Sequence, residues 1–375
     1  MKRIKIAPRN NWQQKCEEVG FHFYELSGSM YWNESACYHF SAQEIDELEA
    51  VTELLHQMCL EAVEVVIQEN RFSQLCIPPE FAELCRKSWQ RGDSNLYGRF
   101  DLVYNGQHPP KLLEYNADTP TSLLEASVVQ WTWLEEVFPK ADQFNSIHEK
   151  LLETFQSMDW LQGKILYFTC ERDTAEDLGT VEYLRDVAIQ AGLKTQHIFI
   201  DEIGWNHEHE FFCDLNEQVI HNLFKLYPWE WLISDPFGKY LLAEPMRLLE
   251  PAWKLILSNK AILPILWELF PNHPNLLPSY YDPLKLSHPY LSKPVFSREG
   301  GNITVYYGKE QYQTPGIYGE EPLIYQSYFP LPEFDGCYPV IGSWVVGDQS
   351  AGISIREDRT PVTQDTSFFV PHYFS

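Results

Sequence analysis

The chain has 375 residues, 44% of them hydrophobic and 22% charged, an ordinary globular balance that excludes a disordered chain and leaves room for two packed units or one large lobed enzyme domain. Its 53 acidic and 28 basic residues leave a net charge of −25, which argues against nucleic acid and anionic membranes as partners, because both need a basic footprint; a cationic substrate such as a polyamine is compatible with it. The N-terminus (MKRIKIAPRNNWQQ) lacks the apolar core of a signal peptide, no apolar run is long enough to span a membrane, and eight scattered cysteines without a C-x-x-C pair read as reduced thiols, so the cytoplasm is expected.

Ser41-Ala42-Gln43-Glu44 has the form of a capping box and opens a long helix whose apolar face runs from Leu48 through Val66. A shorter helix follows over Pro79 to Gln90. Leu96 to Tyr104 alternates and is rich in aromatic and branched residues, so it reads as a strand; Asn105-Gly106 and Pro109-Pro110 are turn chemistry, and Lys111 to Asn116 reads as the returning strand. Ser122 to Phe138 is expected to be helical. Lys164 to Cys170, Thr174 to Gln190 and Thr195 to Ile200 form a strand, a helix and a strand, a βαβ unit with a parallel pair and no dinucleotide fingerprint. His207-Glu208-His209 lies in a polar stretch with no third metal ligand at a usual spacing and reads as a solvated loop. Leu215 to Leu226 and Trp253 to Phe270 read as further helices, the second interrupted by Pro264. From Tyr290 onward regular turn signals separate strand-like runs, which predicts antiparallel hairpins. Three approximate lobes are expected, 1–160, 161–250 and 251–375, within one unit.

The hairpin carries the chemistry. Side chains on a strand repeat every two residues, so Arg99 and Asp101 share one face, as do Glu114 and Asn116. Symmetric closure over the turn sets Asp101 opposite Glu114 and Arg99 opposite Asn116. Two carboxylates and an amide oxygen then converge beside a guanidinium, a hard-oxygen set suited to Mg²⁺, which takes one or two carboxylates and shares substrate phosphates. The same residues could instead form a plain ion pair of Arg99 with Asp101 or Glu114.

Three segments, taken together and in order, resemble the synthetase domain of the glutathionylspermidine synthase family. They are Arg99-Phe-Asp101 with Glu114-Tyr-Asn116-Ala-Asp118, then Ser258-Asn259-Lys260-Ala261-Ile262-Leu263-Pro264, then Lys293-Pro294 leading to Arg298-Glu299-Gly300-Gly301-Asn302. The resemblance runs from about Trp12 to the C-terminus. It is nearest to stand-alone members without the N-terminal amidase, for which this chain has no room. It implies an α/β (α+β) protein of the ATP-grasp, glutathione-synthetase-like fold, with a βαβ pre-ATP-grasp-type subdomain.

The same resemblance implies an ATP- and Mg²⁺-dependent acid–amine ligase working through an acyl phosphate. On the family pattern Asp101, Glu114 and Asn116 hold the metal. Arg99 contacts nucleotide and stabilises the oxyanion formed when the amine attacks. Phe100 lies within the same nucleotide motif, and Lys260 and Lys293 match the two nucleotide lysines. Gly300 belongs to a loop closing over the phosphates, though two glycines between strands also make an ordinary hairpin turn. Gln326 and the backbone at Pro361 fall at the adenine, Pro361 replacing an aliphatic residue. On the substrate side Thr119 and Thr121 stand for two serines that meet glutathione, Glu176 or Asp177 for acidic residues that meet the thiol peptide or polyamine, and Arg356 for a carboxylate clamp. Leu226 replaces a hydroxyl residue. The implied partners are therefore ATP, a small carboxylate such as a glutathione-like peptide, and an amine such as a polyamine. A catalytically silent nucleotide-binding relative is the alternative. A hydrolase using Asp101 and Glu114 is disfavoured, because directly opposed residues stand too close for inversion.

Overall fold

The structure, a computed structural model, describes residues 1–26, 28–362 and 367–375. A five-stranded antiparallel sheet lies at its centre, in the order Phe368–Val370, Gln349–Asp358, Tyr338–Val346, Tyr97–Val103, Lys111–Asn116. The Ala42–Gln68 helix packs against it. That helix starts where the sequence predicts: the Ser41 N–H donates to Glu44 Oε2 (2.8 Å) and the Glu44 N–H to Ser41 Oγ (3.3 Å), satisfying two otherwise orphaned donors. It buries Leu48, Leu55, Met58, Ala62 and Val66, one stripe at helical spacing.

A second five-stranded antiparallel sheet orders Ser279–Tyr280, Leu323–Ser327, Tyr290–Pro294, Thr304–Tyr307 and Glu310–Gln313. The βαβ unit is present as strand Ile165–Cys170, helix Ala175–Gln190 and strand Lys194–His197, the two strands parallel. It is part of a four-stranded parallel sheet completed by Asn222–Leu226 and Arg247–Leu249.

Three expectations need correction. The helix expected over Leu215 to Leu226 is a turn followed by the fully buried strand Asn222–Leu226, paired on both sides. Lys225 interrupts the apolar run and disguises the strand; it is buried against Asp118 at 2.6 Å. The Trp253 to Phe270 segment is a 3₁₀ turn, Ala252–Ile256, and an α-helix, Ile262–Leu269. The break precedes Pro264, which sits in the first turn of the second helix, where a missing N–H costs no helical bond. The expected strand Thr195 to Ile200 ends at His197, and Ile200–Glu202 forms a 3₁₀ turn. The apolar segment Ser122 to Phe138 is helical as expected, with a π-helical turn, Glu125–Val129, ahead of the α-helix Gln130–Val137.

All eight cysteines are free, and seven are buried. Among the described residues no helix is long and apolar enough to cross a membrane. His207, Glu208 and His209 lie exposed in a turn whose backbone is held by Asn206 Oδ1.

Candidate active site

The hairpin closes in the expected register: Arg99 opposite Asn116, Phe100 opposite Tyr115, Asp101 opposite Glu114. Phe100 stacks on Tyr115 at 3.9 Å between ring centroids and packs into the core. Arg99 and Asp101 therefore face the other way, into a cavity of about 310 Å³ that Glu114 and Asn116 also line. Gly342, paired with Asp101 on the adjoining strand, makes this possible, because a Cβ there would lie 2.8 Å from Arg99 Cδ. Both carboxylate oxygens of Asp101 are engaged. Oδ1 accepts from Arg99 Nε (2.8 Å) and Oδ2 from an Arg356 terminal nitrogen (2.7 Å). The ion-pair reading of the hairpin is thus present together with the convergence of ligands. Asn116 keeps a buried amide nitrogen with no hydrogen-bond partner.

A bulge falls just beyond Asp101, since Leu102 pairs with Leu112 and skips Leu113. The skipped carbonyl is free of the ladder, and Lys293 Nζ donates to it at 3.0 Å. Gln326, on the strand beside Lys293, approaches the next carbonyl, Leu112, at 3.5 Å, with its own buried Oε1 unpartnered. Lys260 reaches Glu114 Oε2 at 3.1 Å and also donates to the Ser297 carbonyl. Burial would raise the Glu114 pKa, but Lys260, Lys293 and Arg356 hold it down to about 2. Burial brings Lys293 down to about 8, against the pull of Glu114. Four cations, Arg99, Lys293, Arg298 and Arg356, line one cavity of a protein with net charge −25. Against that global charge, the local concentration marks a place for an anion.

Gly300 lies on the cavity wall at φ +67°, in the left-handed region that a side chain rarely adopts. The loop is tethered by Arg298, which donates to Thr119 Oγ1 (2.8 Å) and to Glu230 Oε1 (2.7 Å). Thr119, Thr121, Glu176, Arg356 and Pro361 line the same cavity, as does Leu226. Glu171, Glu176 and Asp177 also line the cavity. Burial, with Glu176 and Glu171 beside it, pushes Asp177 up to about 7. Glu125 is buried nearby, accepts from the Tyr31 hydroxyl (2.7 Å) and is pushed up to about 8 by burial and by Glu176.

Most of the expected site residues therefore meet in one cavity. Phe100, Lys260 and Gln326 do not line it: Lys260 borders a smaller adjoining pocket with Glu114 and Asn116, Gln326 lies one carbonyl along the Lys111–Asn116 strand, and the Phe100 ring is stacked on Tyr115 in the core. Among the described residues no three His, Cys, Asp or Glu side chains gather to hold a metal unaided. Two carboxylates and an amide, completed by phosphate oxygens, fit Mg²⁺ chemistry.

The tether through Arg298 and Glu230, the buried Glu125, and the role of Asp118 escaped the sequence reading. Asp118 accepts from Lys225 Nζ and from the Trp229 N–H (2.8 Å), fixing the Trp229–Leu232 helix. A lysine and a glutamate inside otherwise apolar runs, NLFKL and SLLEASVV, were the available signals.

The family model described as "Glutathionylspermidine synthase preATP-grasp" matches residues 3–375. The chain belongs to this family. It is 44% identical to a Haemophilus influenzae protein provisionally named an acid–amine ligase, with 100% of both chains covered. It is 33% identical to the trypanothione synthetase of Crithidia fasciculata, over 82% of this chain and 52% of that protein. To the bifunctional glutathionylspermidine synthetase/amidase of Escherichia coli it is 27% identical, over 90% of this chain and 60% of that one. The chain thus spans about half to three-fifths of these two longer relatives. Among solved structures, a glutathione synthetase-like effector from Globodera pallida superposes with a TM-score of 0.55 at 11% identity, covering 92% of this chain and 90% of that one. The fold is accordingly of the glutathione-synthetase-like ATP-grasp type, and the family's reaction class is ATP-dependent C–N ligation.

Proposed function

We propose that this acid–amine ligase activates its acid as an acyl phosphate in the cavity above the hairpin. In that reading the acid carboxylate attacks the γ-phosphorus of ATP and ADP leaves. The amine then attacks the acyl carbon, and phosphate leaves as the amide forms. Asp101, Glu114 and Asn116 would hold Mg²⁺, which when bound neutralises charge on the transferring phosphoryl group. Lys260, Lys293 and the backbone at Gly300 meet the phosphates, and Gln326 with the backbone at Phe100 and Pro361 meets the nucleoside. Arg99 stabilises the oxyanion formed on amine attack. Thr119, Thr121 and Arg356 receive the acid, a glutathione-like peptide being the candidate. Glu176, which lines the cavity with Glu171 and Asp177, receives the ammonium of a polyamine-like amine, and Asp177 can take the proton that the amine must lose before it attacks.

The observation that carries this reading is the convergence of Asp101, Glu114, Asn116, four cations and the carboxylates of Glu171, Glu176 and Asp177 on one cavity. The test is ADP release with Mg-ATP and pooled carboxylates and amines, with the product weighed by mass spectrometry. ADP release requiring both an acid and an amine, with an amide of matching mass, supports it. ATP binding with no turnover for any pair favours the silent relative.

A further inference from the structure

A second cavity, of about 330 Å³, shares a wall with the first. Pro228 and Trp231 line the first cavity and Trp229 lines the second, so one short helix bounds both. Leu84, Met246, Pro251 and the indoles of Trp160 and Trp229 supply the apolar part of a mixed lining that also holds Ser88, Arg91, Asp93, Glu244 and Arg247. Its charges differ in availability. Arg91 is committed to Asp93 (2.6 Å) and Glu244 (2.5 Å), so both carboxylates in the wall already have their cation. Arg247 instead lies over the Trp160 ring, 5.2 Å from its centroid, and no carboxylate pairs with it among the described residues.

The wall also holds an unmet polar group. Ser88 is 1% exposed and its Oγ has no hydrogen-bond partner. A serine inside a helix ordinarily bonds back to the carbonyl four residues earlier; this one does not, and a buried hydroxyl left unbonded is costly. A guanidinium held against an aromatic face presents its planar fork to a carboxylate. The indoles and aliphatic side chains suit a flat apolar body, and the volume is at the lower end of the small-ligand range.

We propose that this cavity is a binding site, separate from the ligase site, for a small organic carboxylate with a planar apolar body, its carboxylate on Arg247 and its body against Trp160. The ligase reading plays no part in the argument. The probe is naphthalene-2-carboxylate, titrated by calorimetry into the full chain with and without a saturating non-hydrolysable ATP analogue and Mg²⁺; naphthalene-2-carboxamide, of the same shape and uncharged, is the control. The expected result is binding that persists with the analogue, is about tenfold weaker for the carboxamide, falls about tenfold in Arg247→Gln, and is blocked in Met246→Trp, which fills the cavity. Arg247 is exposed, so its variant keeps the fold. No binding at millimolar probe, displacement by the analogue, equal affinity for the carboxamide, or an unchanged affinity in Arg247→Gln would each overturn the proposal.

Discussion

Replacing Lys293 with methionine should stabilise the ligand-free protein while removing its hold on nucleotide phosphate. The lysine is 3% exposed, and it donates a hydrogen bond to the Leu113 carbonyl. Burial lowers its pKa from 10.5 to about 8, even with Glu114 pulling upward. At about 1.4 kcal/mol for each pH unit, a fall of that size is a cost of about 3 kcal/mol for keeping the lysine charged in the folded protein at pH 7. Methionine removes the charge at similar length but forfeits the bond to Leu113 and the pull on Glu114, which keeps Lys260. The net gain should be about 1–2 kcal/mol. Its pH dependence carries a sign. Between about pH 8 and 10.5 the unfolded lysine is still protonated while the folded one is neutral, so the parent gains stability as the pH rises and the advantage of the variant shrinks. Urea unfolding at pH 7 and near pH 10 measures both quantities, and calorimetry with an ATP analogue measures the lost affinity. A variant less stable than the parent at pH 7, or a difference unchanged with pH, would refute the reasoning. Stability given up for a site that awaits an anion is a familiar trade.

Asp101→Asn should abolish Mg²⁺-dependent nucleotide binding and leave Arg356 without its carboxylate; nucleotide affinity equally metal-dependent in parent and variant would count against the ligand set. Arg99→Ala should lower turnover by about 10²–10³ with a much smaller change in ATP affinity, because its oxyanion exists only after amine attack; a variant that folds, binds ATP and turns over at the parental rate removes Arg99 from the mechanism. Glu125, pushed from 4.5 up to about 8, holds a proton in the folded protein that the unfolded chain has released, so its contribution to stability is present below about pH 4.5 and is lost as the pH rises to about 8. Glu125→Gln, always neutral and still able to accept from Tyr31, should flatten that part of the profile; parallel profiles in the two proteins would contradict the assignment.

The parts of the molecule legible in the sequence are those written in local patterns. The Ser41 capping box, the alternation through Tyr97–Val103 and the turn residues after it need only neighbours a few positions away, and the hairpin register follows from the turn and from period-two faces. Lys260, Lys293 and Gly300 came from resemblance, and the structure brings their segments together although they are far apart in sequence. What stayed hidden depends on distant partners. Asn222–Leu226 reads poorly as a strand because Lys225 breaks its apolar run, and the carboxylate that pairs with that lysine inside, Asp118, lies more than a hundred positions away. The tether of Arg298 to Thr119 and Glu230 likewise joins three separate segments, none with a local signature. The bulge that frees the Leu113 carbonyl for Lys293 is set by pairing across the hairpin, which turn chemistry alone does not specify.

Activation of the acid as an acyl phosphate in the cavity above the hairpin would move an acid oxygen onto phosphate. It is tested most directly by isotope transfer. The acid identified by ADP release is supplied with ¹⁸O in its carboxylate, together with Mg-ATP and the amine, and the products are weighed by mass spectrometry. The account predicts one ¹⁸O in inorganic phosphate for each amide formed, with ADP unlabelled. Label in AMP, or amide formation with unlabelled phosphate, would contradict it.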